Sequence, residues 1–391
     1  MNLAKFVTFR GINTLVTMML SVAVGYEVYQ LTDSALWLGF IGLVQFFPKI
    51  LFMFYSGLIA DKYDRQKILI FSQVGLFAIS MTFGITSFTH TLTPVLALVL
   101  VFAYGTVFAL EGPSTVAILP NLVSAEYFPK ATATVSSVNE FATILGPAIA
   151  GFIYVIGPWA DYWTISAANL ILIGVALSLK LHHKTAEEKS NIPESPLAGF
   201  RYIWKNKGIF GALTLDMFAV LFGSVTAILP IFADKILKVG PVGFGFLRAA
   251  PSLGAILMAI FLIRRPIQNH TGKIMFAAVT VFGLTTIIFS LSRNIFLSIG
   301  VLAMLGAADM LSVVIRQTYV QMKTPDEVRG RVSAVNLIFV GASNQLGEFE
   351  SGTLAAFSGA VPAGVIGGCL TLVVVAVCYF TFDDLRTLEK I

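Results

Sequence analysis

Twelve stretches of mostly apolar residues divide this chain, each long enough to supply the ~20 residues that a helix needs to cross a bilayer core. They run over residues 9–31, 36–60, 66–88, 93–119, 127–156 and 160–181, and again over 208–232, 242–263, 273–291, 295–322, 330–358 and 361–382. In hydrocarbon a backbone must satisfy its own N–H and C=O groups, which leaves helices or closed barrels. Barrel strands alternate apolar and polar residues; these runs do not, so helices are predicted. Only 12% of the 391 residues are charged and 57% are hydrophobic, where a soluble domain carries ~25% charged residues. A soluble chain of this kind would expose large apolar patches. Disorder, fibrous repeats and nucleic-acid binding are excluded as bulk descriptions. The fifth and eleventh runs carry the weakest signal, because Gly and Ser dilute their hydropathy.

The connections alternate in charge. One set carries Lys62, Arg65 and Lys67, then Lys130, then Lys180, Lys184, Lys189, Arg201, Lys205 and Lys207. It continues with Arg264, Arg265 and Lys273, and with Lys323, Arg329 and Arg331. The other set has only Lys235, Lys238 and Arg293 as cations. Basic loops stay cytoplasmic, so both termini are expected in the cytoplasm, as an even number of spans requires. The net charge of +5 then reports topology, not an acidic partner. Lys5 and Arg10 precede an apolar run with no small-residue cleavage site, which reads as a first span and not a removed signal. Cys369 and Cys378 fall in the last run, too far apart on one helix for a disulfide, and read as packing residues.

The organisation predicted is a six-helix bundle over residues 1–181, a cytoplasmic linker over 182–207, and a second six-helix bundle with a short cytoplasmic tail over 208–391. The linker is the most polar part of the chain. Its His182–His183 pair reads as solvated loop, since two adjacent histidines lack the further ligands of a metal site. The halves echo each other weakly. Thr134-Val-Ser-Ser-Val-Asn139 parallels Arg331-Val-Ser-Ala-Val-Asn336 in helices five and eleven, and Gly42 and Pro48 parallel Gly245 and Pro251 in helices two and eight. Duplicated halves are a transporter signature, with the substrate site near the midplane.

The loop after the second run reads Gly57-Leu-Ile-Ala-Asp61-Lys-Tyr-Asp-Arg65-Gln-Lys67. Gly57 permits close helix packing, and Asp61 at a helix end can accept hydrogen bonds from a neighbouring helix start or an Arg. The segment resembles the loop signature of the major facilitator superfamily, Gly-x-Leu-x-Asp-Arg-x-Gly-Arg-Lys/Arg. Gly57, Asp61, Arg65 and Lys67 match; Lys62 stands for the usual arginine and Asp64 for the usual glycine. The likeness continues through Glu111-Gly-Pro-Ser-Thr-Val-Ala-Ile-Leu-Pro-Asn-Leu-Val123 and through Gly146-Pro147 with Gly151, a shortened form of the Gly-Pro signature of export-type members. Thr324-Pro-Asp-Glu-Val-Arg-Gly-Arg-Val-Ser-Ala-Val-Asn336 and Ser343-Asn-Gln-Leu-Gly-Glu-Phe-Glu-Ser-Gly352 are similar to the branch that contains the enterobactin exporter. The resemblance implies an all-helical fold of twelve spans in two pseudo-symmetric bundles, in a bacterial-type inner membrane. It also implies a cytoplasmic gate at Gly57, Asp61, Arg65 and Lys67, joined here by Arg329 and Arg331.

Ionisable residues inside the spans narrow the chemistry. Even on the lenient insertion scale such a charge costs about 2.5–3.5 kcal/mol at the bilayer centre, so it faces a polar cavity or a partner. The candidates are Glu27, Lys49, Glu111, Glu140, Asp216, Arg248, Asp309, Arg316, Glu348 and Glu350. Lys49, Arg248 and Arg316 are expected to meet anionic groups; Glu140, Glu348 and Glu350 are expected to take up protons. A carboxyl group that alternates between a dry site and a cation can carry a proton, while an acid that keeps its partner is structural; both roles stay open for each. Glu348 and Glu350 cannot share a helix face, whereas Asn344 and Glu348 do. Asn13, Thr17 and Ser21 form a polar stripe and Gln45 joins Lys49 in another. Such stripes line a cavity or bond helix to helix.

No phosphate-binding Gly-x-x-x-x-Gly-Lys-Ser/Thr loop, His-Glu-x-x-His pair or Gly-x-Ser-x-Gly elbow occurs. An ion gradient is the remaining energy source, and no cofactor or enzyme activity is expected. The reading is a monomeric, proton-coupled exporter of a small molecule such as a siderophore or drug-like compound, working by alternating access. Import on the same fold, lipid flipping and a sensor that moves nothing remain as alternatives.

Overall fold

The apolar runs fold as helices in a computed structural model that describes residues 2–124, 126–179, 198–265, 267 and 269–389. Side chains at 49, 53, 54, 57, 58, 60–62, 129, 198, 199, 326, 327, 329, 330, 334, 337 and 338 lie outside the described set, as does most of the predicted linker. The first half contributes α1 (Asn2–Thr32), α2 (Ala35–Lys62), α3 (Arg65–Phe88), α4 (Pro94–Leu122), α5 (Phe128–Ile153) and α6 (Pro158–Ser178). After the short α7 (Ala198–Lys205) come α8 (Lys207–Gly223) and the one-turn α9 (Leu229–Ile231). They are followed by α10 (Gly240–Arg264), α11 (Thr271–Leu291), α12 (Ile295–Lys323), α13 (Asp326–Ser358), α14 (Ala360–Thr381) and α15 (Asp383–Arg386). Among the described residues ten helical segments are long and apolar enough to cross a membrane by length and composition alone. The weak fifth and eleventh runs supply α5 and α13, 26 and 33 residues long, which brings the spans to twelve.

Local chemistry sets the ends. Asp64 is the N-cap of α3 and accepts from the backbone N–H groups of Gln66 and Lys67, which relieves two donors a helix start leaves unpaired. Its presence where the loop signature has glycine therefore has a structural use. Thr93 and Asn294 cap α4 and α12 in the same way. Gly359, at φ 89°, turns the chain from α13 into α14, a conformation an L side chain rarely adopts.

The seventh run is one span, as expected, but its helix is broken. The helix α8 stops at Gly223, a 3-10 turn covers Thr226–Ile228, and a π-turn covers Phe232–Ile236 after α9. Pro230, which has no N–H to give, sits in the first turn of α9, the helix position that tolerates proline. The carbonyl freed at Gly223 is met by the Thr286 hydroxyl from α11 at 3.3 Å. Broken helices are tolerated in membranes where neighbours re-satisfy the backbone in this way.

The described chain forms two compact units: α1–α6 with residues 239–249, and residues 198–238 with 250–389. In the first, α1 packs on α5 and α6, α2 on α4, and α3 on α4 and α6. Gly105 of α4 lies against the α2 backbone, where an added Cβ would sit 3.0 Å from the Gln45 carbonyl oxygen. In the second, α11 packs on α12 and α14, and α8 on α13 and α14. Tyr202 of α7 donates to the Lys323 carbonyl at the end of α12 over 2.7 Å. Phe296, in the first turn of α12, and Phe357, in the last turn of α13, are 82% and 86% exposed, which on a soluble protein would be liabilities. Phe88, Trp159 and Trp163 cluster where α3 ends and α6 begins, with the two indoles 5.0 Å apart, the aromatic signature of a membrane–water interface.

Candidate functional site

In the first unit the polar stripe of α1 meets an acid from α4. Asn13 is buried and its amide donates to Glu111 Oε1 over 3.3 Å. Gln73, from α3 and fully buried, donates to Glu111 Oε2 at 3.3 Å and to Asn13 Oδ1 at 3.4 Å. Thr115, one turn on from Glu111, donates to the carbonyl of residue 111 at 3.1 Å and reaches its Oε1 at 3.4 Å. Among the described residues every group bonded to this carboxylate is a neutral amide or hydroxyl. Arg10, one turn before Asn13, interacts with it only through space. Thr17 continues the stripe by bonding the Tyr104 hydroxyl of α4 at 2.9 Å. The stripe is therefore both a helix-to-helix seam and the wall of an acid site.

Glu27 belongs elsewhere. It lies fourteen residues past Asn13, about 21 Å along the helix, and accepts from the Ser87 and Tyr162 hydroxyls, each at 2.6 Å. The second unit holds its charges differently. Arg316 of α12 is 1% exposed and pairs with Asp216 of α8 at 3.2 Å. The same guanidinium donates to the Asn336 amide oxygen of α13. Asp309, seven residues before Arg316 on α12, feels both charged partners, so one cation serves two carboxylates. Removing that cation would leave buried charge uncompensated.

The asparagines of the repeated segment occupy matching roles. Asn139 of α5 accepts from Thr14 of α1 at 3.1 Å, and Asn336 of α13 accepts from Arg316. The other predicted residues scatter. Glu140 is exposed on α5, Asn344 is exposed on α13, and Gln45, Arg248, Glu348 and Glu350 are half-buried. Glu350 keeps one buried carboxylate oxygen, Oε2, without a hydrogen bond. At the expected gate, Arg65 donates to the Ala117 carbonyl of α4 at 2.9 Å, Lys67 is exposed and Arg331 is half-buried. Lys49, Gly57, Asp61 and Arg329 fall outside the described side chains. Sequence reading missed Gln73, Thr115, Tyr104 and Asp161. Gln73 carries a signal, as an amide in the middle of an apolar run; Asp161, at the start of the sixth run, is not among the residues that the sequence singles out.

Among the described residues no group of three His, Cys, Asp or Glu side chains could hold a metal ion. The profile of a family described as transmembrane secretion effectors matches residues 8–390. The enterobactin exporter EntS of Escherichia coli O1:K1 / APEC is 23% identical over 397 aligned residues, spanning 99% of this chain and 92% of that one. Among solved structures, a bacterial homolog to the human lysosomal transporter Spinster superposes with a TM-score of 0.76 at 14% identity, over 98% of this chain and 96% of that one. The xylose transporter XylE from E. coli gives a TM-score of 0.73 at 10% identity, over 99% and 97% of the two chains. These likenesses carry the fold.

Proposed function

The chain belongs to the transmembrane secretion effector family, within the major facilitator transporters, and on that premise we propose that it exports a siderophore or drug-like small molecule in exchange for protons. The observation that carries this reading is Glu111, buried and bonded to Asn13, Gln73 and Thr115. An acid whose hydrogen bonds all come from neutral amides and hydroxyls can gain or lose a proton without breaking a salt bridge. The acid Asp216, tied to Arg316, cannot. Glu111 is thus the principal proton carrier, with Asp309 and Glu350 as secondary acids. The ion pair of α8 and α12 braces the second unit, and Arg248 on α10 is the cation for an acidic substrate group.

The direction is supported by the likeness to the enterobactin exporter and the orientation by the alternation of basic loops. Both termini lie in the cytoplasm, the protein sits in the inner membrane, and one copy suffices. Each turnover exposes the substrate site to one side at a time while the halves rock about it. Gly57, Asp61, Arg65 and Lys67 hold the cytoplasmic side shut in one state, with Arg329 and Arg331 on the equivalent later loop.

The test is flux in reconstituted vesicles under an imposed pH gradient, with a panel of ferric-chelating ligands and lipophilic drugs. Inverted and right-side-out vesicles report the direction. Glu111→Gln is expected to abolish gradient-driven flux and to retain exchange at equal pH. Unchanged gradient-driven flux in that variant would remove Glu111 from the proton path.

A further inference from the structure

Asp161 is fully buried in the first turn of α6, and neither of its carboxylate oxygens has a hydrogen-bond partner among the described residues. It interacts through space with Glu27 of α1, the one carboxylate acting on it. The two acids are held in opposite ways. Glu27 accepts two hydroxyl donors at 2.6 Å, Ser87 from α3 and Tyr162 from α6, which is the length of a charge-assisted O–H···O⁻ bond. Asp161 has no donor among the described residues.

A buried carboxylate without a donor beside a second carboxylate is doubly unfavourable, through desolvation and like-charge repulsion. We propose that Glu27 and Asp161 form a second proton-binding site, remote from Glu111, in which Asp161 carries the proton and Glu27 the charge. With Asp161 neutral, the hydroxyl-bonded Glu27 carboxylate no longer has a second negative charge acting on it. No bond to carbon changes; one proton is taken from water and returned to it.

The surrounding groups fit this role. The titratable side chains acting on the pair are the hydroxyls of Tyr154 and Tyr162 and the His90 imidazole at the end of α3. Tyr26 joins them through Tyr154. No lysine or arginine acts on it among the described residues. The Phe88–Trp159–Trp163 cluster places the site near the membrane–water interface. It lies at the far end of α1 from Asn13, where an exporter would load protons from outside. That last point rests on the proposed direction; the site itself does not.

Infrared difference spectra of the full-length protein in micelles, taken across a pH titration, test it through the C=O stretch of protonated carboxyl groups. Asp161→Asn should lose a band that Glu111→Gln keeps. Glu27→Gln should retain that band and shift its disappearance to lower pH, because the neighbouring negative charge is gone. A full set of bands in Asp161→Asn, or an unmoved titration in Glu27→Gln, overturns the proposal; if the first variant does not fold, the second decides. Absence of gradient-driven flux in the unmodified protein would sink the exporter reading and leave these bands untouched.

Discussion

The two units keep charge in a dry interior by different means. In the first, Glu111 is surrounded by the amides of Asn13 and Gln73 and the hydroxyl of Thr115. In the second, Asp216 is matched by Arg316, with Asn336 completing the guanidinium shell. Dipoles stabilise an acid in either protonation state, since a hydroxyl or amide can also turn to meet a carboxyl O–H. A guanidinium stabilises only the anion. The first arrangement suits a group that changes charge during a cycle; the second suits one that must not.

The sharpest test of that contrast is Arg316→Ala. It leaves Asp216 and Asp309 without their cation and should cost about 3–5 kcal/mol of apparent stability, read as a fall in the melting temperature in micelles. A loss below about 1 kcal/mol would mean that the pair is not desolvated. Next, Asp216→Leu with Arg316→Met should recover more than half of that loss, because buried pairs replaced by apolar groups are often near neutral. A double variant as unstable as the single one would locate the cost in packing or in Asp309.

On the other side, Glu111→Gln should cost about 1 kcal/mol or less, since the amide oxygen still accepts from Asn13 or Thr115. A melting shift as large as that of Arg316→Ala would erase the distinction between the units. The smallest effect is expected at Thr17→Val, which removes the bond to Tyr104. Interhelical bonds in membranes average about 0.6 kcal/mol, so a drop beyond about 2 kcal/mol would show that the stripe does more than join α1 to α4.

Much of the fold is written in residue order. The apolar runs predict α2–α6 and α10–α14 within a few residues, and α1 except that it starts seven residues earlier, at Asn2, because a span's length is dictated by the bilayer and its hydrogen bonds are internal. The seventh run predicts the span but not its break, because hydropathy is blind to the backbone changes inside an apolar stretch, a 3-10 turn, α9 and a π-turn. The repeated segment points to Asn139 and Asn336, and each accepts a bond from another helix of its unit. The donors, Thr14 and Arg316, carry no such mark.

The acids divide along the same line. Their presence in the spans is plain from sequence, since a charge within twenty apolar residues stands out. Their roles are not. Glu140 and Glu111 look alike in the chain, yet one is exposed and the other buried among amides. Asp161 differs from an interfacial aspartate only in what surrounds it. By itself the sequence determined a polytopic helical transporter, its family and its expected orientation, because hydropathy, loop charge and short motifs act locally. Only the tertiary structure decided which acids have neutral donors, which have a cation and which have nothing, because those partners come from helices distant in sequence and a carboxyl group's chemistry is set by its neighbours.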